Sequence, residues 1–362
     1  PENTPLLYAL SNQCFLNEYV YNFLPQEIKD LPTTTPEEIA LAGAYFPLHT
    51  LHLEIPKGND AFQRLVKRQI DDPLTERELS KTITALGGIT DPLSQKVKQQ
   101  YEENPYPRWT TANAKKPPIK SFIPELDSPN VLVAGCGTGL QAINAARYYK
   151  NATVLAIDFS LASLAYAKRM AQELNVSNLS FLQADILDLG QLQQTFDIIE
   201  CVGVLHHMQD PVKGWKVLDK LLKPKGYMNI GVYSELGRRD VTAARKWIAQ
   251  NRWKATAEDI RICRQEMMKL PEDCPFKRIV KSLDFYALST CRDLLFHTHE
   301  VYFTIPQIEK ILQDLKHKFL GFDLPPPLRP RYSLKELSEW HFYEEAHPDT
   351  FIGMYQFWTA KS

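Results

Sequence analysis

The apolar run NVLVA at 130–134 ends abruptly in GCGTG at 135–139, and an amphipathic stretch, LQAINAARYYK, begins at once. A short apolar run bounded by glycine reads as a strand, and the stretch after it reads as a helix. Glycines at alternate positions let the backbone turn sharply and let a ligand approach with no Cβ in the way. The free N–H groups at the start of the next helix then face that ligand. The same turn also joins strand to helix without any ligand, so the residues around it must decide.

The pattern after the turn repeats. TVLAID is a second strand and SLASLAYAKRMAQEL its helix; LSFLQAD is a third strand; FDIIECVGV is a fourth, followed by the helix VKGWKVLDKLL, a turn at Pro224-Lys225-Gly226 and a fifth strand, YMNIGVYS. Short apolar strands alternating with helices imply βαβ units and a parallel sheet. Residues 1–90 read instead as a helical domain, with apolar residues at helical spacing in LLYALSNQCFLNEYVYNFL and further helices in PEEIALAGAYFPL, DAFQRLVKRQI and TERELSKTITAL. Residues 91–235 hold the first part of the α/β core, 236–300 a helical insertion, and 301–362 the last helix and strands, TIPQIEKILQDL, KFLGFDL and FIGMYQFWTA. The Lys/Pro-rich AKKPP stretch at 114–118 reads as a linker.

Asp158 ends the second strand, nineteen residues beyond Gly139. A carboxylate there suits the hydroxyls of a ribose. The alternative, a helix cap, is already served by Ser160. Asp185, at the end of the third strand, suits an adenine edge or is a solvated strand end. The turn is GxGxG and lacks the third position of GxGxxG, which argues against a nicotinamide enzyme.

In order, GCGTG, AIDFS, QADILDL, FDIIECVGVLHHMQDPVKGW and LLKPKGYMNIGVY resemble the class I S-adenosylmethionine-dependent methyltransferases, over about 130–235 and again over about 300–362. The chain is similar to bacterial members attached to tetratricopeptide repeats, which share its YEENPYPRW loop, and more distantly to phycobiliprotein asparagine methyltransferases. The resemblance implies a Rossmann-like, seven-stranded α/β sheet with S-adenosyl-L-methionine across the carboxyl ends of its first strands. It implies that Gly135, Cys136, Gly137 and Gly139 flank the methionine part, that Asp158 holds the ribose and that Phe159 packs on the adenine. Asp185 and Ile186 then close the adenine edge, Cys201, Val202 and Gly203 line the methyl-donor side, and Tyr101 touches the methionine carboxylate. One position departs from the family. Many members carry an acidic residue two places before the first glycine, where this chain has Val133. The carbonyls of Gly135 and Cys201 are the simplest substitute acceptors for the cofactor ammonium.

Methyl transfer needs alignment and a dry site more than an obligatory side chain, so the acceptor is less legible than the cofactor site. His206 and His207 follow the fourth strand and suit either a proton acceptor or packing at a helix entry. Tyr106 and Arg108, in the aromatic YEENPYPRW loop, suit a lid that closes over the cofactor, or a cap that tethers the N-terminal domain. Arg292, His297, His299 and Glu300 form a polar cluster, for which substrate contact or surface polarity fits better than metal, so no metal is expected.

The reading leans to a protein side-chain acceptor, an amide nitrogen among the options, although the Asn-Pro-Pro-Tyr motif of amide methyltransferases is absent after the fourth strand. Asn104-Pro105-Tyr106-Pro107 resembles it only in composition. A small-molecule acceptor is the alternative, and a non-catalytic cofactor-binding protein the rival from another class. A formal charge of −1 offers no global basic field, so nucleic acid is not an expected partner. No apolar run is long enough to span a bilayer. Six cysteines without CxxC spacing, and a start lacking the basic and apolar regions of a signal peptide, lead to the expectation of a cytoplasmic chain.

Overall fold

The computed structural model of the chain describes residues 4–29, 31–103, 105–112, 122–331 and 333–362. The expected linker at 114–118, and Asn104, lie outside the described residues. In chain order the helices and strands are α1 (Thr4–Leu16), α2 (Pro36–Ala42), α3 (Asp60–Val66), α4 (Asp72–Ser80), β1 (Thr84–Ala85) and α5 (Pro92–Glu103). Next come β2 (Asn130–Ala134), α6 (Leu140–Tyr148), β3 (Thr153–Asp158), α7 (Leu161–Glu173), β4 (Leu179–Gln183), β5 (Phe196–Val202), α8 (Pro211–Leu221) and β6 (Leu222–Val232). The chain continues through α9 (Arg239–Gln250), α10 (Ala257–Lys269), α11 (Leu288–Phe296), α12 (Ile305–Leu315), β7 (His317–Phe322), α13 (Leu337–Ala346) and β8 (Tyr355–Lys361).

The chain divides into two compact units. One contains residues 1–81, 106–108 and 240–297; the other contains 82–105, 109–239 and 298–362. The first is helical. Its α2 starts with a capping box, Thr35 with Glu38, which satisfies otherwise orphaned N–H groups, and with Pro36 inside the first turn, which has no N–H to satisfy. Its α3 runs through a π-helical turn at Lys67–Asp71 into α4, and Pro73, which has no N–H to donate, lies just beyond that turn. Inside that turn the buried Gln69 donates to the Ser11 carbonyl at 3.0 Å. The insertion helices α9, α10 and α11 share one core with Val20 of the N-terminal segment, through Ile248, Cys263, Met267, Phe285 and Cys291. Arg264 reinforces that union: its Nε donates to the Phe285 carbonyl at 2.6 Å and its Nη1 to the Val20 carbonyl at 2.9 Å. The N-terminal helices and the insertion, which the sequence presents as separate segments, therefore form one body.

The second unit is a sheet in the order β1-β4-β3-β2-β5-β6-β8-β7, parallel except where β8 runs against β6 and β7. Among the described residues it has eight strands rather than the expected seven. The extra edge is β1, which lies in a stretch expected to be helical and pairs Thr84 and Ala85 with Leu182 and Gln183 of β4. Two residues are too few for a periodic signal, so neighbouring helical spacing masked this strand in the sequence. The buried strands alternate their side chains between faces. Val131, Val133, Val154, Ala156 and Ile198 pack with Ala142 and Ala145 of α6 on one face. Leu132, Ala134, Ile157 and Ile199 pack with Trp215 and Leu218 of α8 and Ile308 and Leu312 of α12 on the other. The chain runs outward from β2 to β3 and β4, then returns to β5 on the opposite side of β2. Ligands of open α/β sheets bind beyond the strand ends at such a switch point, and the glycine turn occupies it here.

Candidate functional site

The turn depends on its glycines. Gly135, Gly137 and Gly139 have φ of 72°, 51° and 85°, all in the left-handed region. A Cβ on Gly135 would stand 2.3 Å from Val204 Cγ2, and one on Gly139 would stand 2.4 Å from the Cβ of Ala167 in α7. The turn is held from below, since the N–H groups of Gly135 and Cys136 donate to the Ile157 carbonyl at 2.8 and 2.9 Å. It is also held from the side by a residue to which the sequence reading gave no role: Trp109 donates its Nε1–H to the Thr138 carbonyl at 3.0 Å. Tyr166 of α7 donates in turn to the Trp109 carbonyl.

Asp158 lies at the centre. It is buried, and its two carboxylate oxygens accept separately from the N–H of Gly137 and of Ser160, each at 2.9 Å. Burial lifts its carboxyl to about 6, and the backbone donors oppose that rise. A carboxylate has about four acceptor positions, so two remain for a ligand that brings hydroxyl donors. Ser160 caps α7 by accepting from Ser163 N–H at 3.1 Å. Its hydroxyl also donates to the Tyr101 carbonyl at 3.2 Å. The carboxylate of Glu102, a second residue the sequence reading passed over, accepts from the N–H groups of Leu161 and Ala162 at 2.7 and 3.0 Å. An anion at the positive end of α7 is favourable and fixes the end of α5 beside Asp158. The rings of Tyr101 and Phe159 meet edge to face at 6.1 Å. The expected neighbours Tyr101, Asp158 and Phe159 are thus brought together.

The other end of the expected adenine site is tied to the same place. Ala184 N–H donates to the Asp158 carbonyl at 3.0 Å, and Gln183 Nε2 to the Phe159 carbonyl at 2.9 Å. Asp185 is buried and caps the short helical turn that begins at Ile186, accepting from Leu187 N–H at 2.9 Å. At the end of β5 Cys201 is buried, and just beyond the strand Gly203 has φ 79°, with open space where a Cβ would point. Burial pushes the thiols of Cys136 and Cys201 well above the ordinary cysteine range, which leaves neither a nucleophile at neutral pH. All six cysteines are free thiols.

His206 and His207 are both buried. The His206 ring lies 3.8 Å from the Tyr233 ring, and the Arg238 guanidinium lies 3.7 Å from the same ring centre. Two groups that close to one centre must occupy opposite faces, so Tyr233 is sandwiched. Arg238 Nη2 also donates to Glu300 at 2.9 Å. His207 Nδ1 donates to the His299 carbonyl at 3.0 Å, which fixes its tautomer. Tyr106 and Arg108 belong to the helical unit. There Arg108 Nε lies 3.3 Å from a Glu18 oxygen, and the other Glu18 oxygen accepts from Ser289 N–H at 2.5 Å.

Residues 127–280 match the model of a methyltransferase domain family. The chain is 31% identical over 257 residues to an uncharacterized protein of Synechococcus, covering 64% of this chain and 61% of that one. It is 36% identical over 104 residues to the ubiquinone biosynthesis O-methyltransferase of Acinetobacter baumannii, covering 28% of this chain and 43% of that one. PKMT2 from Rickettsia typhi shares the fold, with a TM-score of 0.53 at 17% identity over 71% of this chain and 54% of that one. Its complex with AdoHcy gives 0.51 at 20% identity over 71% and 55%. The chain thus spans roughly half the length of several of these relatives and 61% of the Synechococcus protein. Ordered motifs, sheet, glycine turn and these likenesses agree: residues 127–280 match a methyltransferase domain, and the chain is similar to the class I S-adenosylmethionine-dependent methyltransferases.

Proposed function

We propose that the chain binds S-adenosyl-L-methionine at the glycine turn and transfers its methyl group to a protein side chain, with an amide nitrogen among the acceptors. The observation that carries the cofactor reading is Asp158, held buried between two backbone N–H groups with acceptor positions to spare. The surrounding residues fit the group. Three left-handed glycines shape the turn, two of them packed on Val204 and Ala167 too closely for a Cβ, Asp158 suits the ribose, and Phe159 with Tyr101 offers an apolar wall to the adenine. Asp185 and Ile186 bound the adenine edge, while Cys201, Val202 and Gly203 face the donor end. When bound, the cofactor supplies an electrophilic methyl on a sulfonium.

The protein then has to hold an acceptor in line and exclude water. His206 and His207 follow the strand that leads to this end of the sheet. His207, with Nδ1 carrying the proton, has the tautomer in which Nε2 acts as proton acceptor. The protein-acceptor reading draws on the helical unit, a second body with its own apolar cores for which cofactor binding has no use. The likeness to ubiquinone biosynthesis O-methyltransferase over 104 residues favours a small molecule instead. Incubation of the protein with cell lysate and methyl-labelled cofactor separates these readings. Label that stays with protein, gains 14 Da per site and becomes peptide-bound after proteolysis supports the first. Label confined to small molecules overturns it, and cofactor binding without any turnover would make this a non-catalytic binding protein.

A further inference from the structure

Val133 leaves the family's usual acidic position empty of charge, yet a carboxylate lies in the next strand. In the β2–β5 pairing Val133 stands opposite Glu200. Partners in register point to the same face, about one strand spacing (~4.8 Å) apart. That face otherwise carries Val131, Ile198 and the alanines of α6. Glu200 is buried there. One oxygen accepts from the Tyr149 hydroxyl at 2.6 Å and the other from Gln141 Nε2 at 2.5 Å. Gln141 is in the first turn of α6, whose N-cap is Gly139, so the carboxylate lies beneath the glycine turn.

Both partners are neutral, and among the described residues no Lys, Arg or His forms an ion pair with Glu200. A buried carboxylate with no cation is costly and calls for one. The next position in the same row, Asn229, pairs with Glu200 across β6 and holds its buried Oδ1 without a hydrogen-bond donor. The row therefore lacks positive charge, and the Asn229 Oδ1 in it lacks a donor. A primary ammonium supplies both, with three donors and one charge.

We propose that Glu200 is the receptor for the ammonium group of the cofactor's methionine part, so that the acid usually found on one strand has moved to its neighbour. This rests on the methyltransferase reading. The competing role is a clamp that only ties β5 to α6 through Gln141 and Tyr149. The two roles separate in a comparison of two ligands, S-adenosylhomocysteine and 5′-methylthioadenosine, which share the adenosine and the sulfur but differ in the amino-acid part. Dissociation constants for both are measured by calorimetry on the whole chain, wild type and Glu200→Gln. The expected result is a 10- to 100-fold (order-of-magnitude) loss for S-adenosylhomocysteine with the methylthioadenosine affinity unchanged. Equal losses for both ligands, or no loss for either, would overturn the assignment. The exchange Val133→Glu with Glu200→Val keeps the test open should Glu200→Gln not fold. It is expected to restore preference for the homocysteine ligand over methylthioadenosine, and a preference no greater than that of Glu200→Val alone overturns the proposal. A wild-type chain that binds neither ligand fails differently, because it removes the methyltransferase reading and this assignment with it.

Discussion

Asp158 makes the apoprotein less stable at neutral pH than at acid pH, and Asp158→Asn should reveal this. Burial lifts its carboxyl from 3.8 to about 6. Between those values the native chain keeps a proton that the unfolded chain has released. Stability contributed by this group is therefore present at pH 4, falls as pH rises through the window, and stays lost above about 6. Each pH unit of that window is worth about 1.4 kcal/mol, so the whole is about 3 kcal/mol. Asparagine does not titrate. It does present an amide N–H₂ to one of the two backbone donors that now meet the carboxylate, at a cost of about 1 kcal/mol. That cost is the same at every pH and cancels in a comparison. Urea unfolding of ligand-free wild type and variant at pH 4 and pH 8 measures the double difference. The variant should gain about 2 kcal/mol on the wild type between the two values, most of the full amount, because pH 4 lies just above the unfolded value. A difference in stability that does not change with pH would refute a buried, titrating Asp158, and with it the electrostatic account of the site.

Gly139→Ala places a Cβ 2.4 Å from Ala167 at a φ of 85°; strain and overpacking together should lower the urea-derived stability by about 2–4 kcal/mol. Glu102→Ala removes the anion at the start of α7, which should cost about 1–2 kcal/mol in the same assay and weaken S-adenosylhomocysteine binding. Arg108→Ala leaves the buried Glu18 without its cation, so melting temperature should fall with a loss of about 3 kcal/mol, and activity should follow it. Lost turnover at unchanged melting temperature would instead support a lid role for this loop.

The glycine turn, the strands around it and Asp158 were legible because each leaves a short-range mark: an apolar run, a glycine period, an acid at a fixed distance. The capping serine at 160 was legible for the same reason. Glu102 and Trp109 were visible in YEENPYPRW, but their partners, the N-terminus of α7 and the Thr138 carbonyl, lie 29 to 60 residues away in sequence. Nothing local marks such pairings. The edge strand at Thr84–Ala85 is too short to carry a period, and it moved the sheet from seven strands to eight. Helix α13 went unread because LSEWHFYEEA lacks a clear apolar face, with Phe342 exposed and Trp340 buried. The union of the N-terminal helices with the insertion depends on Arg264 and Val20, 244 residues apart. Glu200 looked like one more strand residue until the register set it beside Val133.

The central claim is that the glycine turn and Asp158 hold a sulfur nucleoside. Its most direct test is calorimetric titration of the wild-type chain and Asp158→Ala with S-adenosylhomocysteine, with NAD as the control. The account predicts 1:1 binding of S-adenosylhomocysteine to the wild type near the micromolar range, about −8 kcal/mol, weakened by about 1–3 kcal/mol in the variant, and no heat with NAD. Binding of NAD with none of S-adenosylhomocysteine, or equal affinity of wild type and a folded Asp158→Ala, would contradict it.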